Sequence, residues 1–157
     1  MSSALPMRDP IGSVGPALAD VERSKTLSAS LDSYFCGVRR AATAVREMSA
    51  EVNRATDELL DLFAADAVLA VDDVKKWTGR KEIGDFYRGG VLAEPNFYPR
   101  PVEGSRVCLE DSSAIVCDIF LHSKNRSRLV RDTFTYDTDN KIIRMHIQTI
   151  SDHQAPL

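Results

Sequence analysis

The chain has few of the residues that build disulfide or metal sites. It contains three cysteines, Cys36, Cys108 and Cys117, without a CxxC pair, and three histidines that are not at metal-ligand spacing. An odd number of scattered cysteines favours reduced, buried thiols in a cytoplasmic protein over a disulfide framework. The sequence therefore predicts no metal site and no cofactor.

The chain also lacks a charge excess and a long apolar run. Its formal net charge is -3 and its basic residues form no stripe, which argues against nucleic acid as the main partner. Its apolar segments are too short to span a membrane, and the N-terminus shows no basic-then-apolar signal pattern. We therefore expect a cytoplasmic protein without a nucleic-acid or membrane partner, folded as one domain.

Helical periodicity dominates the first half of the chain. Apolar residues spaced three and four apart predict an amphipathic helix from about residue 28 to 53; they include Leu31, Tyr34, Phe35, Val38, Ala41, Ala42, Val45, Met48 and Val52. Thr56 is the expected N-cap of a second helix. A short strand over 67–71 and a third helix over 81–89 follow. Residues 1–24 are interpreted as a flexible arm, 25–152 as a single domain and 153–157 as a tail.

The second half alternates with period two. Three runs between residues 112 and 150, separated by polar breaks, predict three β-strands joined by turns. Helices followed by a strand meander predict an α+β fold, with the helices on one face of a curved antiparallel sheet.

Asp132 stands out within the second of these strands. It shares its alternation set with Val130, Phe134 and Tyr136, so a carboxylate lies in the middle of an apolar face. Burial of an unpaired carboxylate is costly. The residue is therefore either a functional acid, a paired structural Asp, or part of a face exposed to solvent. Arg128 has the same parity and is a candidate partner that would neutralise it.

Three local patterns resemble the NTF2-like superfamily, in particular its ketosteroid-isomerase-like and SnoaL-like branches. They are LFAADAV at 62–68, GRKEIGDFY at 79–87 and DTFTYD at 132–137, followed by NKI at 140–142. Asn140 replaces a turn glycine, which is tolerable because Asn accepts left-handed geometry. The resemblance covers about residues 30–150. It implies a cone in which a bent sheet and its helices enclose a pocket, and a homodimer formed through the outer sheet face.

The resemblance also implies roles for individual residues. Asp132 matches the position at which ketosteroid isomerases keep a protonated Asp that donates a hydrogen bond to the substrate oxyanion. Tyr87 matches a tyrosine that supports this site. The position of the general base falls on Val71, and a one-residue slip of the strand would turn Asp72 inward. The catalytic tyrosine of the first helix has no counterpart in register: an ungapped count lands near Glu47 or Met48, and Tyr34 lies more than three turns earlier.

Two functions remain open at this point. The first is a SnoaL-like enzyme, an isomerase, cyclase or dehydratase without a cofactor, acting on a small apolar carbonyl or polyketide-like molecule. Asp132 would be the acid and Asp72 or Asp73 the base, in a pocket shaped by Tyr87, Trp77, Phe134, Met145, Tyr98, Val130 and Met48. The second is a non-catalytic domain with the same cone, which binds a ligand or only dimerises.

Overall fold

The computed structural model describes residues 10–109 and 113–154, and side chains from residue 21 onward. Three α-helices precede most of the sheet: α1 Pro10–Arg46, α2 Val52–Leu60 and α3 Gly79–Gly89, the last followed by a 3-10 turn Val91–Ala93. The seven strands are β1 Phe63–Val71, β2 Lys75–Thr78, β3 Tyr98–Pro101, β4 Val107–Cys108, β5 Ala114–Ser123, β6 Arg126–Tyr136 and β7 Ile142–Gln154.

The strands form one curved, unclosed mixed sheet in the order β2-β1-β7-β6-β5-β3, with β4 paired to β5. The three strands predicted between residues 112 and 150 are β5, β6 and β7, joined as an antiparallel meander. β1 lies parallel to β7, and the other pairs are antiparallel. The predicted α+β architecture, with helices against one face of a bent sheet, is confirmed.

The concave face of the sheet and the helices share one hydrophobic core. Leu31, Tyr34 and Phe35 of α1 are buried, and the Tyr34 ring meets the Phe134 ring of β6 edge to face, with centroids 4.8 Å apart. Such pairs add about 0.5–1.5 kcal/mol beyond the area they bury. The apolar stripe of α1 is thus fixed against β6, and this contact positions the functional site described below.

The first helix differs from its predicted limits at both ends. It begins at Pro10, so the predicted loose arm is helical from residue 10 onward, whereas residues 1–9 lie outside the described residues. A proline is tolerated at the first helical position because its missing N–H would be unbonded there in any case.

Residues 153 and 154 of the predicted tail belong to β7, and 155–157 are not described.

The C-terminal end of α1 is set by a left-handed residue. Met48 has φ 52°, and the Ser49 N–H donates to the Ala44 carbonyl at 2.9 Å while the Met48 N–H donates to Val45. This is the Schellman arrangement that ends helices. The first helix therefore ends at Arg46 and not at residue 53, and the last two residues of the predicted span belong to α2. The predicted N-cap, Thr56, lies inside α2, where its buried hydroxyl donates to the Val52 carbonyl.

Within the described residues, no helix is long and apolar enough to cross a membrane.

Candidate functional site

A small cavity lies between the concave face of the sheet and the helices. Its volume is about 30 Å³, room for roughly two water molecules at ~10–15 Å³ each. The side chains that line it are apolar except for Asp132, Tyr34 and Tyr87. The apolar members are Phe35, Val38, Phe86, Val91, Phe97, Pro99, Ile119, Leu121, Val130, Met145 and Ile147.

Asp132 is buried in this cavity without a hydrogen-bond partner for one of its oxygens. The residue is 4% exposed, and its Oδ1 contacts no donor among the described residues. Loss of water around the carboxyl raises the pKa of Asp132 well above its usual range, and the negative charge of Asp118 raises it further. Burial therefore favours the protonated, neutral form of the Asp132 carboxyl, and this form can donate its proton to an acceptor in the cavity.

Two tyrosines from different helices meet at the same cavity. The Tyr34 hydroxyl on α1 and the Tyr87 hydroxyl on α3 lie 2.6 Å apart, and the Tyr87 hydroxyl also lies 3.7 Å from the Met145 sulfur, to which it donates. Burial raises the pKa of both tyrosines far above the usual value, and the charge of an ionised Asp132 would raise both further. Both phenols therefore stay protonated and act as donors.

The proton arrangement of this pair has two forms. When Tyr87 donates to Met145, the Tyr34 proton is used in the bond to Tyr87. When Tyr87 donates to Tyr34 instead, it gives up only a weak bond to sulfur, and the Tyr34 proton is free for a ligand in the cavity. Tyr34 and Asp132 both line the cavity, so in this form each has a proton that it can donate to a ligand there.

Arg128 does not neutralise Asp132. Its Nη2 donates to both carboxylate oxygens of Glu94, at 2.6 and 2.7 Å. The proposed pairing of Arg128 with Asp132 is therefore wrong, because Arg128 is held at the other end of the inward-facing row of β6. Within the part of the chain that the structure describes, no cation lowers the pKa of Asp132 in its place.

Asp72 does not face the cavity. It lies in the β1–β2 turn with φ 52°, and its carboxylate accepts from the Thr149 backbone N–H at 2.7 Å and the Thr149 hydroxyl at 2.8 Å. Asp73 is also exposed and contacts His146 Nε2 at 3.0 Å. The expectation that Asp72 or Asp73 shares a pocket with Asp132 is wrong, because the turn directs both side chains toward the neighbouring β7.

Val71 occupies the inward position instead. It pairs in register with Ile147 of β7, whose side chain lines the cavity, and side chains paired across adjacent strands lie on the same face. The one-residue slip that would turn Asp72 inward does not occur. Among the described residues that line the cavity, Asp132 is the one carboxyl group, and an imidazole or amine base is absent.

The seven side chains expected to shape the pocket fall into two groups. Tyr87, Val130 and Met145 line the cavity. Met48 is 90% exposed, because it ends α1, and Tyr98 is 45% exposed on an edge strand. Trp77 packs behind the cavity on Phe86 at 4.7 Å, and Phe134 is buried under Tyr34. The expectation that these last four line the pocket is wrong.

Tyr34 is the site residue that sequence reasoning missed. The ungapped count that landed near Glu47 or Met48 allows no insertion between the first helix and β1, whereas the turn at 47–51 and α2 lie between α1 and β1. The position of Tyr34 in the apolar stripe with Leu31 and Val38 could have identified it, because a tyrosine in such a stripe buries its hydroxyl and needs a hydrogen-bond partner for it.

Comparisons with known proteins support this description of the fold. No protein-family model matches the sequence, and no curated protein matches it. Among solved structures, the epoxide hydrolase/cyclase-like enzyme SalBIII, which has a role in pyran ring formation in the polyether salinomycin, superposes with a TM-score of 0.64 at 15% identity, covering 80% of this chain and 92% of SalBIII.

Two further structures are similar. A steroid delta-isomerase from Pseudomonas aeruginosa has a TM-score of 0.58 at 16% identity, with 80% of each chain covered. RV0760c from Mycobacterium tuberculosis, in complex with estradiol-17beta-hemisuccinate, has a TM-score of 0.59 at 15% identity, covering 78% of this chain and 92% of that one. This chain therefore has the NTF2-like fold that the sequence motifs predict.

Proposed function

We propose that this protein is a SnoaL-like small-molecule enzyme that binds an apolar carbonyl compound in the cone and activates its carbonyl oxygen. The observation that carries this proposal is the buried Asp132 oxygen without a partner, in an apolar cavity that also receives the Tyr34–Tyr87 pair. A buried polar group without a partner costs about 1–3 kcal/mol, and a ligand acceptor would satisfy it.

The chemistry follows from the protonation states. A neutral Asp132 and the Tyr34 hydroxyl both donate toward one acceptor position, as in the oxyanion sites of ketosteroid isomerases. Donors that are already oriented in a site without bulk water stabilise negative charge developing on a carbonyl oxygen. Asp132 and Tyr34 therefore act on the substrate, and Tyr87 positions Tyr34.

The missing base limits the reaction class. Val71 stands where a steroid isomerase would carry its carboxylate, so a proton shuttle between two carboxylates of this chain is not supported. The site suits isomerisation or cyclisation in which activation of the carbonyl is the assisted step, with water or a group of the substrate accepting the proton.

The substrate must enlarge the cavity that it enters. A volume of about 30 Å³ is far below the ~300–1,000 Å³ of a pocket that holds a drug-sized ligand. The similar RV0760c is known with estradiol-17beta-hemisuccinate bound, which supports a small apolar molecule as the ligand class here. Binding would therefore select a more open form of the cone.

The alternative is a non-catalytic domain that binds the same class of ligand. The specific observation in its favour is Val71 at the place of the base, together with the outward Asp72. In that case Asp132 and Tyr34 give affinity for a carbonyl group but no turnover.

The experiment measures binding and turnover with a panel of cyclic enones and polycyclic ketones. Trp77 packs on Phe86, which lines the cavity, so fluorescence of this single tryptophan reports ligand entry. We expect Asp132→Asn and Tyr34→Phe each to weaken ketone binding by roughly tenfold, the equivalent of one buried hydrogen bond. Tyr98→Phe, outside the cavity, is the matched control.

The outcomes separate the hypotheses. Conversion of an enone by the wild type that falls by at least ~100-fold in Asp132→Asn, the range for loss of an oxyanion donor, supports the enzyme. Binding that depends on Asp132 without conversion supports the binding domain. Equal ketone affinity of wild type, Asp132→Asn and Tyr34→Phe contradicts both.

We also propose a homodimer formed through the outer face of the sheet. This face carries the cross-strand pair Phe120–Leu129 of β5 and β6 and, beyond the Asp118–Arg131 ion pair, Val116 of β5; none of the three apolar residues is fully buried. Phe120 stacks on His122 with centroids 5.8 Å apart, and Arg100 lies over the Phe120 ring. Partly exposed apolar side chains mixed with charged groups are the composition of many protein interfaces.

A further inference from the structure

The inward-facing row of β6 carries a second polar group beyond Asp132. Cys117, Ile119 and Leu121 of β5 pair in register with Asp132, Val130 and Arg128 of β6, in that order. Ile119, Leu121 and Val130 line the cavity. Arg128 therefore follows the cavity at the end of the row opposite to Asp132.

In the Arg128–Glu94 ion pair, the Arg128 side chain is more deeply buried than the Glu94 side chain. The Arg128 side chain is 11% exposed and the Glu94 side chain 22%. Both bonds to Glu94 come from one nitrogen, Nη2. The Arg128 Nε is buried and has no acceptor among the residues that the structure describes. A guanidinium can bind a carboxylate through two nitrogens in parallel, so Arg128 retains an unused donor for an acceptor in the interior.

Glu94 belongs to a segment that forms part of the cavity wall. Residues 90–97, here called the 90–97 segment, connect α3 to β3 and contribute Val91 and Phe97 to the lining. The segment is tied to the sheet by the Glu94–Arg128 pair and by the Lys124 N–H, which donates to the Pro95 carbonyl at 2.8 Å. Release of Glu94 would remove one of these ties and free a wall of a cavity that is too small for a ligand.

We propose that Arg128 is a second anchor of the ligand site and that Glu94 occupies its place until a ligand carboxylate displaces it. This inference rests on the proposed function and names its substrate class: apolar molecules with a carbonyl at one end and a carboxylate at the other. The carbonyl accepts from Asp132 and Tyr34. The carboxylate accepts from Arg128, including Nε, while Glu94 moves into solvent and the 90–97 segment opens.

The strand spacing sets the length of this ligand. Residues 128 and 132 are four apart on β6, which corresponds to about 13 Å between their Cα atoms. An extended methyl-ketone fatty acid of about ten carbons has a length of this order and serves as the probe.

The experiment compares this keto acid with its methyl ester at pH 7.5, with binding followed by Trp77 fluorescence. The ester keeps the carbonyl and the chain but lacks the charge. We expect the wild type to bind the acid about tenfold more tightly than the ester, since charge-assisted hydrogen bonds are roughly twice as strong as neutral ones.

Three variants test the exchange of carboxylates. Glu94→Gln removes the competing charge, so it should tighten binding of the acid by about tenfold and leave ester binding nearly unchanged. Arg128→Met should abolish the preference for the acid. Arg126→Met is the matched control, because it removes a cation from the same strand whose partner is Asp152; the preference should survive it.

The possible results are distinct. Equal affinity for acid and ester in the wild type overturns the inference and leaves the proposed function standing. An acid preference that Arg126→Met abolishes as fully as Arg128→Met does also overturns it, because the effect is then one of general charge. Weaker acid binding in Glu94→Gln contradicts the exchange even if Arg128→Met fails to fold. No binding of either compound overturns this inference, and the proposed carbonyl site falls with it only if the cyclic enones and polycyclic ketones also fail to bind.

Discussion

Asp132 is a buried residue that lowers the stability of the fold. Its neighbours on the inner face of β6, Val130 and Phe134, are fully apolar, and one carboxyl oxygen has no donor within the described part of the chain. A leucine or asparagine at this position carries no charge, so its burial would not require a carboxylate to be protonated or stripped of water. A buried acid without a partner therefore costs stability, and the proposed carbonyl-activating role would account for its presence.

The stability of the Asp132→Asn variant relative to wild type should depend on pH. Because burial raises the pKa of Asp132, the folded state keeps a proton that the unfolded state loses above about 3.9. Wild-type stability therefore falls as pH rises from that value toward the folded pKa, by about 1.4 kcal/mol per pH unit. We expect the variant, which does not titrate there, to be more stable than wild type at pH 7.

Chemical denaturation of both proteins between pH 4 and pH 8 measures this effect. The difference in free energy of unfolding between Asp132→Asn and the wild type should be small near pH 4 and should grow in favour of the variant as pH rises. Parallel pH profiles for the two proteins would show that Asp132 titrates alike in the folded and unfolded states. A variant that loses stability relative to wild type as pH rises would contradict the assignment outright.

Two buried tyrosines should respond in opposite directions to loss of the hydroxyl. Tyr87→Phe breaks the 2.6 Å bond to Tyr34 and leaves a buried hydroxyl without a partner, so it should cost about 1–3 kcal/mol. The Tyr136 hydroxyl is buried and unpaired among the described residues. Tyr136→Phe should therefore be neutral or stabilising by up to about 1 kcal/mol.

Urea unfolding of the two variants gives the comparison directly, since each removes one oxygen from a buried ring. A loss of stability in Tyr136→Phe comparable to that in Tyr87→Phe would mean that the Tyr136 hydroxyl has a partner in solution, which would weaken the argument from unpaired groups for Asp132 as well.

At the residue scale, alternation identified Asp132 but not its surroundings. Parity alone placed Arg128 beside it as a partner, whereas Glu94 of the 90–97 segment takes Arg128. A contact between residues 34 positions apart depends on how the chain folds back, and no local pattern encodes it. The Tyr34–Tyr87 bond, across 53 positions, could not be predicted for the same reason.

At the element scale, the β1–β2 turn decides the role of Asp72. Asp72 and Asp73 both have positive φ, 52° and 56°, and the Val74 N–H donates back to the Val71 carbonyl. Consecutive left-handed residues match the twist of a β-hairpin, and Asp is among the residues that accept this geometry. The two carboxylates serve the turn and its contact with β7.

Asp72→Asn should therefore affect stability and not the site. The variant keeps the tolerance for left-handed geometry but loses the charge that accepts from Thr149, at a cost of about 1 kcal/mol. Ketone affinity and any turnover should stay within about twofold of wild type, whereas loss of a catalytic base would cost at least ~100-fold. Kinetics of this variant beside its thermal unfolding provide the check.

The helices show which ends of secondary-structure elements can be predicted from a sequence. The third helix was placed within two residues of α3 Gly79–Gly89, because glycines mark its end. The break after α1 was missed because Met48, in the left-handed cap, is neither Gly nor Asn. Its apolar side chain instead continued the helical period and made it an expected pocket residue.

At the scale of the whole molecule, the fold was predictable because many weak signals agree. Three local patterns in the right order and the order of elements specified the cone, and the structural likenesses confirm it. The size of the cavity was not predictable, since it depends on how closely the 90–97 segment and α1 approach the sheet. These distances result from packing of the complete core.

The proposed dimer is tested by sedimentation of the wild type and two variants. Phe120→Asp places a charge on the outer sheet face and should convert a dimer into a monomer, because an unpaired charge in an interface is costly. Met48→Asp, at an exposed end of α1, is the control and should remain dimeric. A monomeric wild type, or a dimeric Phe120→Asp variant, contradicts the proposed interface.

The central claim is that Asp132 is a neutral acid at neutral pH, and the most direct measurement is its pKa by carboxyl-carbon NMR. Asp132→Asn identifies the resonance by its absence. We predict a pKa well above the unperturbed ~3.9, so that the carboxyl is still protonated at pH 7. A value at or below that reference would mean that the carboxyl is solvated or paired in solution, and the carbonyl-activating site, with the ligand class built on it, would be contradicted.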